Sequence, residues 1–208
     1  MNGTAHMAIG ATTGFIVANT LQTDPITTLS LVGFGGVSGL IPDLDVNGKL
    51  RNTFTASHKF FRTLAQIIGV LMMIYSYLKG VGQEQWLGIG AGIGILIIAS
   101  FITKRHMLTV AGIGVLAGGL SLGENWVWLF GIYIIIASLV SHRSYTHSII
   151  GLLYFGVIAY YFQESLGVAG IFITCFSGYA SHLLADMKLL PFNKRGVKFF
   201  LPLSSKEL

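Results

Sequence analysis

Two neighbouring stretches decide the fold: MLTVAGIGVLAGGLSLG, residues 107–123, and NWVWLFGIYIIIASLVS, residues 125–141, separated by the single charge of Glu124. Each runs for 17 residues without Asp, Glu, Lys or Arg. A helix crossing the hydrocarbon core of a bilayer needs about 17–25 predominantly apolar residues. In that solvent a helix satisfies its own backbone donors and acceptors, which an open chain cannot do. Two such runs in tandem, turned by one acidic residue, read as a transmembrane hairpin.

Working outward, charged residues divide the rest of the chain into runs of similar length: 1–23, 25–42, 63–78, 85–103, 144–163 and 165–185. With the first two, these predict an all-α polytopic bundle of eight transmembrane helices, spanning residues 1–208 as a single domain. Composition agrees, with 53% hydrophobic and 10% charged residues, against about 25% charged in an average soluble domain. Glycine, at 27 residues, supplies GxxxG spacings at Gly10/Gly14, Gly35/Gly39, Gly88/Gly92, Gly90/Gly94 and Gly114/Gly118, which read as helix-packing surfaces. The single Cys175 excludes an internal disulfide and a thiolate metal cluster.

The loops alternate in sign. If the helices cross in turn, Lys49, Arg51, Lys59, Arg62, Lys104, Arg105, Arg143, Lys188, Lys194, Arg195, Lys198 and Lys206 share one face, and Lys79 stands alone on the other. Positive charge collects on cytoplasmic loops, so both termini are expected in the cytoplasm, with residues 187–208 as a tail on that surface. The net charge of +5 is thereby assigned to topology and not to a nucleic-acid partner.

Seven residues able to bind a metal fall on the same side: His6, Asp43, Asp45, His142, His147, His182 and Asp186. Ionisable groups at a membrane are costly and mark function by default. His182 and Asp186 are four apart, on one helical face. Asp43 and Asp45 follow Pro42 with the alternation of an extended strand, which points both the same way. His142 and His147 bracket a helix start. Singly, each has an ordinary reading: a polar helix end for His6, a C-cap and turn for the aspartates, an intrahelical contact for His182–Asp186. Convergence on one face favours a metal site, and imidazole with carboxylate suits Zn²⁺, one or two ions, with Mn²⁺ or Fe²⁺ as alternatives. His58 and His106 lack an acidic neighbour and read as interfacial. Arg143 is either a positive-inside anchor or a phosphate clamp.

The elements Thr4-Ala5-His6, Ile41-Pro42-Asp43-Leu44-Asp45, His142-Arg143-Ser144-Tyr145-Thr146-His147-Ser148 and His182-Leu183-Leu184-Ala185-Asp186, in that order, resemble the YdjM-type family of membrane-bound metal-dependent hydrolases. Ser144 stands where glycine is common in that family, and the interval between the second and third elements is longer than in many members. The resemblance extends distantly to zinc-dependent phospholipases C and implies phosphoester hydrolysis by metal-activated water. The expected substrate is a membrane lipid at the cytoplasmic leaflet. Asp45 is then a bridging ligand or general base, and Arg143 holds the phosphate. A divalent-metal transporter or metal-sensing membrane protein is the competing expectation, although transporters place ligands near the bilayer midplane and these lie at one edge.

Overall fold

The computed structural model describes residues 2–45, 58–101, 103–141, 143–188 and 196–208. Among them there are eight α-helices and no strand: α1 (Gly3–Thr20), α2 (Pro25–Ser38), α3 (His58–Lys79), α4 (Gln83–Ser100), α5 (Lys104–Leu122), α6 (Asn125–Leu139), α7 (Ile149–Leu166) and α8 (Ile171–Ala185). Each charge-poor run forms the body of one helix, although α3, α4, α5 and α7 also take in flanking charges, so the all-α expectation is met. Two short 3₁₀ turns, Ile41–Asp45 and Tyr145–His147, interrupt the pattern, and both carry site residues.

The residues fall into two compact units, Met1–Thr53 with Leu108–Leu208, and Phe54–Met107. The second holds the α3–α4 hairpin, closed by a glycine contact in which a Cβ on Gly92 would lie 2.7 Å from the carbonyl oxygen of Gly69. The first holds the site. There α1 packs on α2 and α8, α8 also packs on α2 and α7, and α6 packs on α7.

Glycine makes the α1–α2–α8 junction. A Cβ on Gly10 would stand 2.3 Å from the carbonyl oxygen of Gly35, and one on Gly35 would stand 2.3 Å from that of Gly10. A Cβ on Gly39 would meet the carbonyl of His6 at 2.6 Å, and one on Gly178 would meet Gly35 at 2.7 Å. No side chain fits at these distances, so the three backbones touch, and His6 and His182, each four residues from one of these glycines, are drawn together. The expected packing surfaces at Gly90/Gly94 and Gly114/Gly118 are different: a Cβ on any of the four meets nothing within 4 Å. The spacing tells which face a glycine pair lies on, and not what that face meets.

Local signals fix the helix ends near the site. The Asn2 side chain accepts from Ala5 N at 2.9 Å to start α1, and Asp24 caps α2 ahead of Pro25, where a missing N–H costs nothing. Ser148 caps α7 by accepting from Gly151 N, directly after His147, and the carbonyl of Phe199 in the tail accepts from Ile149 N at 2.9 Å. The described part of the tail is a loop, and it is anchored: Val197 is fully buried, and its N–H and that of Lys188 both donate to the Leu208 carbonyl.

Around an apolar core, many large apolar side chains are also exposed, and a few polar ones are buried. Ile26, Leu29, Trp86, Ile98, Leu120 and Leu139 are exposed on the outside, whereas His6, His147, His182 and Asp186 are buried. Large contiguous apolar surface needs an apolar partner. Among the described residues, two helices are long and apolar enough to cross a membrane on their own, over Arg105–Leu122 and Ile149–Leu166. The apolar helices α2, α6 and α8 are shorter, at 14, 15 and 15 residues, or about 21–23 Å.

Candidate metal centre

Four segments deliver the site. His6 comes from the first turn of α1, Asp43 from the turn after α2, His147 from the turn before α7, and His182 with Asp186 from the end of α8. Sequence separation is erased: His6 stacks on His182 with ring centroids 3.8 Å apart, and its Nε2 lies 3.2 Å from Asp186 Oδ1. That approach lacks hydrogen-bond alignment, and both His6 nitrogens are buried without a hydrogen-bond partner. The carboxylate partly offsets the burial of Nε2, whereas leaving Nδ1 buried without a partner costs about 1–3 kcal/mol.

The centre is a triangle of donors. His147 Nε2 and His182 Nε2 are 3.2 Å apart, and Asp43 Oδ1 is 3.4 Å from the first and 3.6 Å from the second. A tetrahedral ion with bonds of about 2.0–2.1 Å has ligand–ligand edges of about 3.3–3.4 Å. The triangle therefore has the dimensions of one face of such a site. Asp186 Oδ2 stands 3.9 Å from His182 Nε2, and the donor atoms form two overlapping groups, His6–Asp43–His182 and His147–His182–Asp186, each within 4.8 Å. His182 belongs to both.

Outer contacts orient the rings. His182 Nδ1 lies 2.7 Å from the Gly39 carbonyl, which only accepts, so Nδ1 carries the proton and the Nε2 lone pair faces inward. His147 Nδ1 lies 3.1 Å from Thr146 Oγ1. The hydroxyl of Tyr179 donates to the Thr146 carbonyl and lies 3.0 Å from the Tyr133 hydroxyl, which reaches the Ile41 carbonyl at 3.4 Å. Two buried tyrosines thus tie the turn bearing His147 to the turn bearing Asp43. Such partners of a ligand fix its tautomer and angle. In the sequence both sit in apolar runs and read as ordinary core aromatics. The one available signal is that Tyr179 precedes His182 by three positions, on the same helical face.

The mouth is formed by the less buried members. The side chains of Asp43 and Arg143 keep 23% and 24% of their exposure, against 4% for Asp186 and none for His147 and His182. Arg143 Nη2 donates to Asp186 Oδ2 at 3.1 Å, from a backbone with φ +59°. That left-handed conformation is unfavourable for a side chain with Cβ, and such strain persists where surrounding structure imposes it. Burial opposes the charge on Asp186, but His6, His182 and Arg143 outweigh it and hold the carboxyl well below the usual carboxylate range.

Of the seven residues expected at the site, five are brought together. His142 lies outside the described residues, as does the side chain of Asp45. His106 belongs to neither donor group, and its Nδ1 is 2.6 Å from the Phe101 carbonyl.

Compared with known families, the chain matches over residues 1–208 the one described as YdjM inner membrane protein. No curated protein and no solved structure matches.

Proposed function

This chain belongs to the YdjM inner membrane protein family, and we propose that it is a metal-dependent hydrolase acting on a lipid phosphoester. The observation that supports the reading best is the donor triangle of Asp43, His147 and His182, with edges of 3.2, 3.4 and 3.6 Å. With His6 and Asp186 these residues would hold one or two divalent cations, zinc foremost and Mn²⁺ or Fe²⁺ as alternatives. Bound there, such a cation would lower the pKa of water toward neutrality and neutralise charge on the phosphoryl oxygens.

The chain's own residues supply the rest. Arg143 uses one nitrogen on Asp186 and stands at the mouth, where its planar fork suits a phosphate. Asp186, held ionised, keeps that guanidinium in place. Asp43, at the open side, is the ligand nearest to incoming substrate, and Asp45 two residues on is placed in the chain to act as bridging ligand or general base. The buried imidazoles keep water from the back of the site, which strengthens every charge interaction within it. The twelve-to-one asymmetry of basic residues supports a multi-pass arrangement with both termini and this site on the cytoplasmic side.

The test is metal analysis of purified protein followed by a phosphoester panel. Hydrolysis that disappears with chelator and returns with zinc supports the proposal. A protein that retains no divalent metal after reconstitution overturns it.

A further inference from the structure

A cavity of about 260 Å³ lies beside the donor cluster, walled by α2, α6, α7 and α8. Its lining is apolar: the two small polar side chains on it, Ser38 and Cys175, are themselves buried. The cavity has a direction. At one end are Ile41, in the turn that carries Asp43, and Phe155, whose ring stacks on Tyr179 at 4.9 Å. At the other end Trp126 and Phe162 meet with centroids 4.7 Å apart, and Phe34 closes edge-on against Phe162 at 5.1 Å. Phe162 lies thirteen residues into α7 from Ile149, or about 20 Å of helix from the end bearing His147.

The geometry points to this cavity as the seat of one acyl chain of the lipid whose phosphoester is held at the Asp43–His147–His182 centre, with Phe162 and Trp126 as the stop that sets chain length. The inference rests on the phosphoester reading and adds the substrate class, a lipid recognised by the length of a chain. Continuity with the site is the argument for this occupant: the turn that contributes Ile41 to the cavity contributes Asp43 to the triangle. Size agrees, because a protein cavity of about 150 Å³ admits benzene, so this one admits about ten carbon atoms. The benefit is position and not affinity. Lipid tails are as apolar as the cavity, so transfer between them gains little. A chain stopped at a fixed depth holds its head group at a fixed height, which is how orientation lowers a barrier.

The test uses single-chain lysophosphatidic acids of graded length with a diazirine at the chain end, photolysed with the full-length protein in detergent and mapped by mass spectrometry. The expected label falls on residues near Phe162 and Trp126, with greatest yield at about ten carbons. Val37→Trp, at a half-exposed position on the cavity wall, should cut that yield several-fold. Phe162→Ala should move the optimum to longer chains. Label spread over outward-facing Leu29 and Leu120, with no length optimum and no response to either variant, overturns the inference. The same labelling on chelator-stripped protein separates the two claims. Focused label without hydrolysis at any length upholds the cavity and removes the hydrolase. Hydrolysis indifferent to length with diffuse label does the reverse.

Discussion

His147 Nε2 faces His182 Nε2 at 3.2 Å, and the far nitrogen of each ring lies against an oxygen, Thr146 Oγ1 for one and the Gly39 carbonyl for the other. In the proposed site both Nε2 atoms and Asp43 would face a bound cation. Zinc should therefore stabilise the folded protein by mass action, about 2.7 kcal/mol at a hundredfold excess over its dissociation constant. The expected thermal shift in detergent is abolished by His147→Ala or His182→Ala and unchanged by His106→Ala. A shift that survives both site variants removes the triangle as the binding site.

Tyr179→Phe removes a hydroxyl and leaves the ring that stacks on Phe155. The turn carrying His147 then loses its tie to α8, and metal affinity should fall at least about tenfold, while secondary structure and expression stay as in the parent. Competition with a chromophoric chelator measures this directly. Unaltered affinity makes the tyrosine pair a packing feature.

Arg143 separates strain from chemistry. Both Arg143→Ala and Arg143→Gly should lose hydrolysis and keep metal. At φ +59°, however, the glycine variant should be the more stable of the two by about 1 kcal/mol, read from denaturant titration in mixed micelles. Equal stability means that the backbone relaxes once the guanidinium is gone.

Gly35→Ala places a methyl against the Gly10 carbonyl and should destabilise by about 1–3 kcal/mol. Because the same contact draws His6 toward His182, metal content should drop with it. Gly114→Ala, with open space around it, should be neutral or stabilising by about 0.5–1 kcal/mol. Helix propensity favours alanine at both positions, so similar losses from both would mean that Gly114 is packed against a neighbour as Gly35 is.

Reporter fusions at the two ends should both read as cytoplasmic, given the basic loops. A C-terminal reporter on the far side would move the proposed site to the opposite leaflet.

The helices were legible because long runs without Asp, Glu, Lys or Arg form the body of each one. Their exact ends were not: α2 stops at Ser38 and α6 at Leu139, short of the next charged residue, because 3₁₀ turns and extended links are apolar here as well. At the site, ligand-type residues stood out as rare polar groups in apolar surroundings. His6 was the least legible of them, since nothing local to it announces a partner on α8. The tyrosine pair was illegible for the opposite reason, because an aromatic ring in an apolar run looks the same whether or not its hydroxyl is used. Five GxxxG spacings looked alike in sequence, and only the neighbours supplied by folding distinguish Gly35 from Gly114.

The stacking of His6 on His182 has a consequence for biosynthesis. The ribosome makes α1 long before α8, so the first imidazole emerges while the second is still untranslated. No intermediate in translation holds the complete cluster of side chains. On the hydrolase reading, reactivity would therefore wait for the arrival of α8, and a half-made chain would be chemically silent.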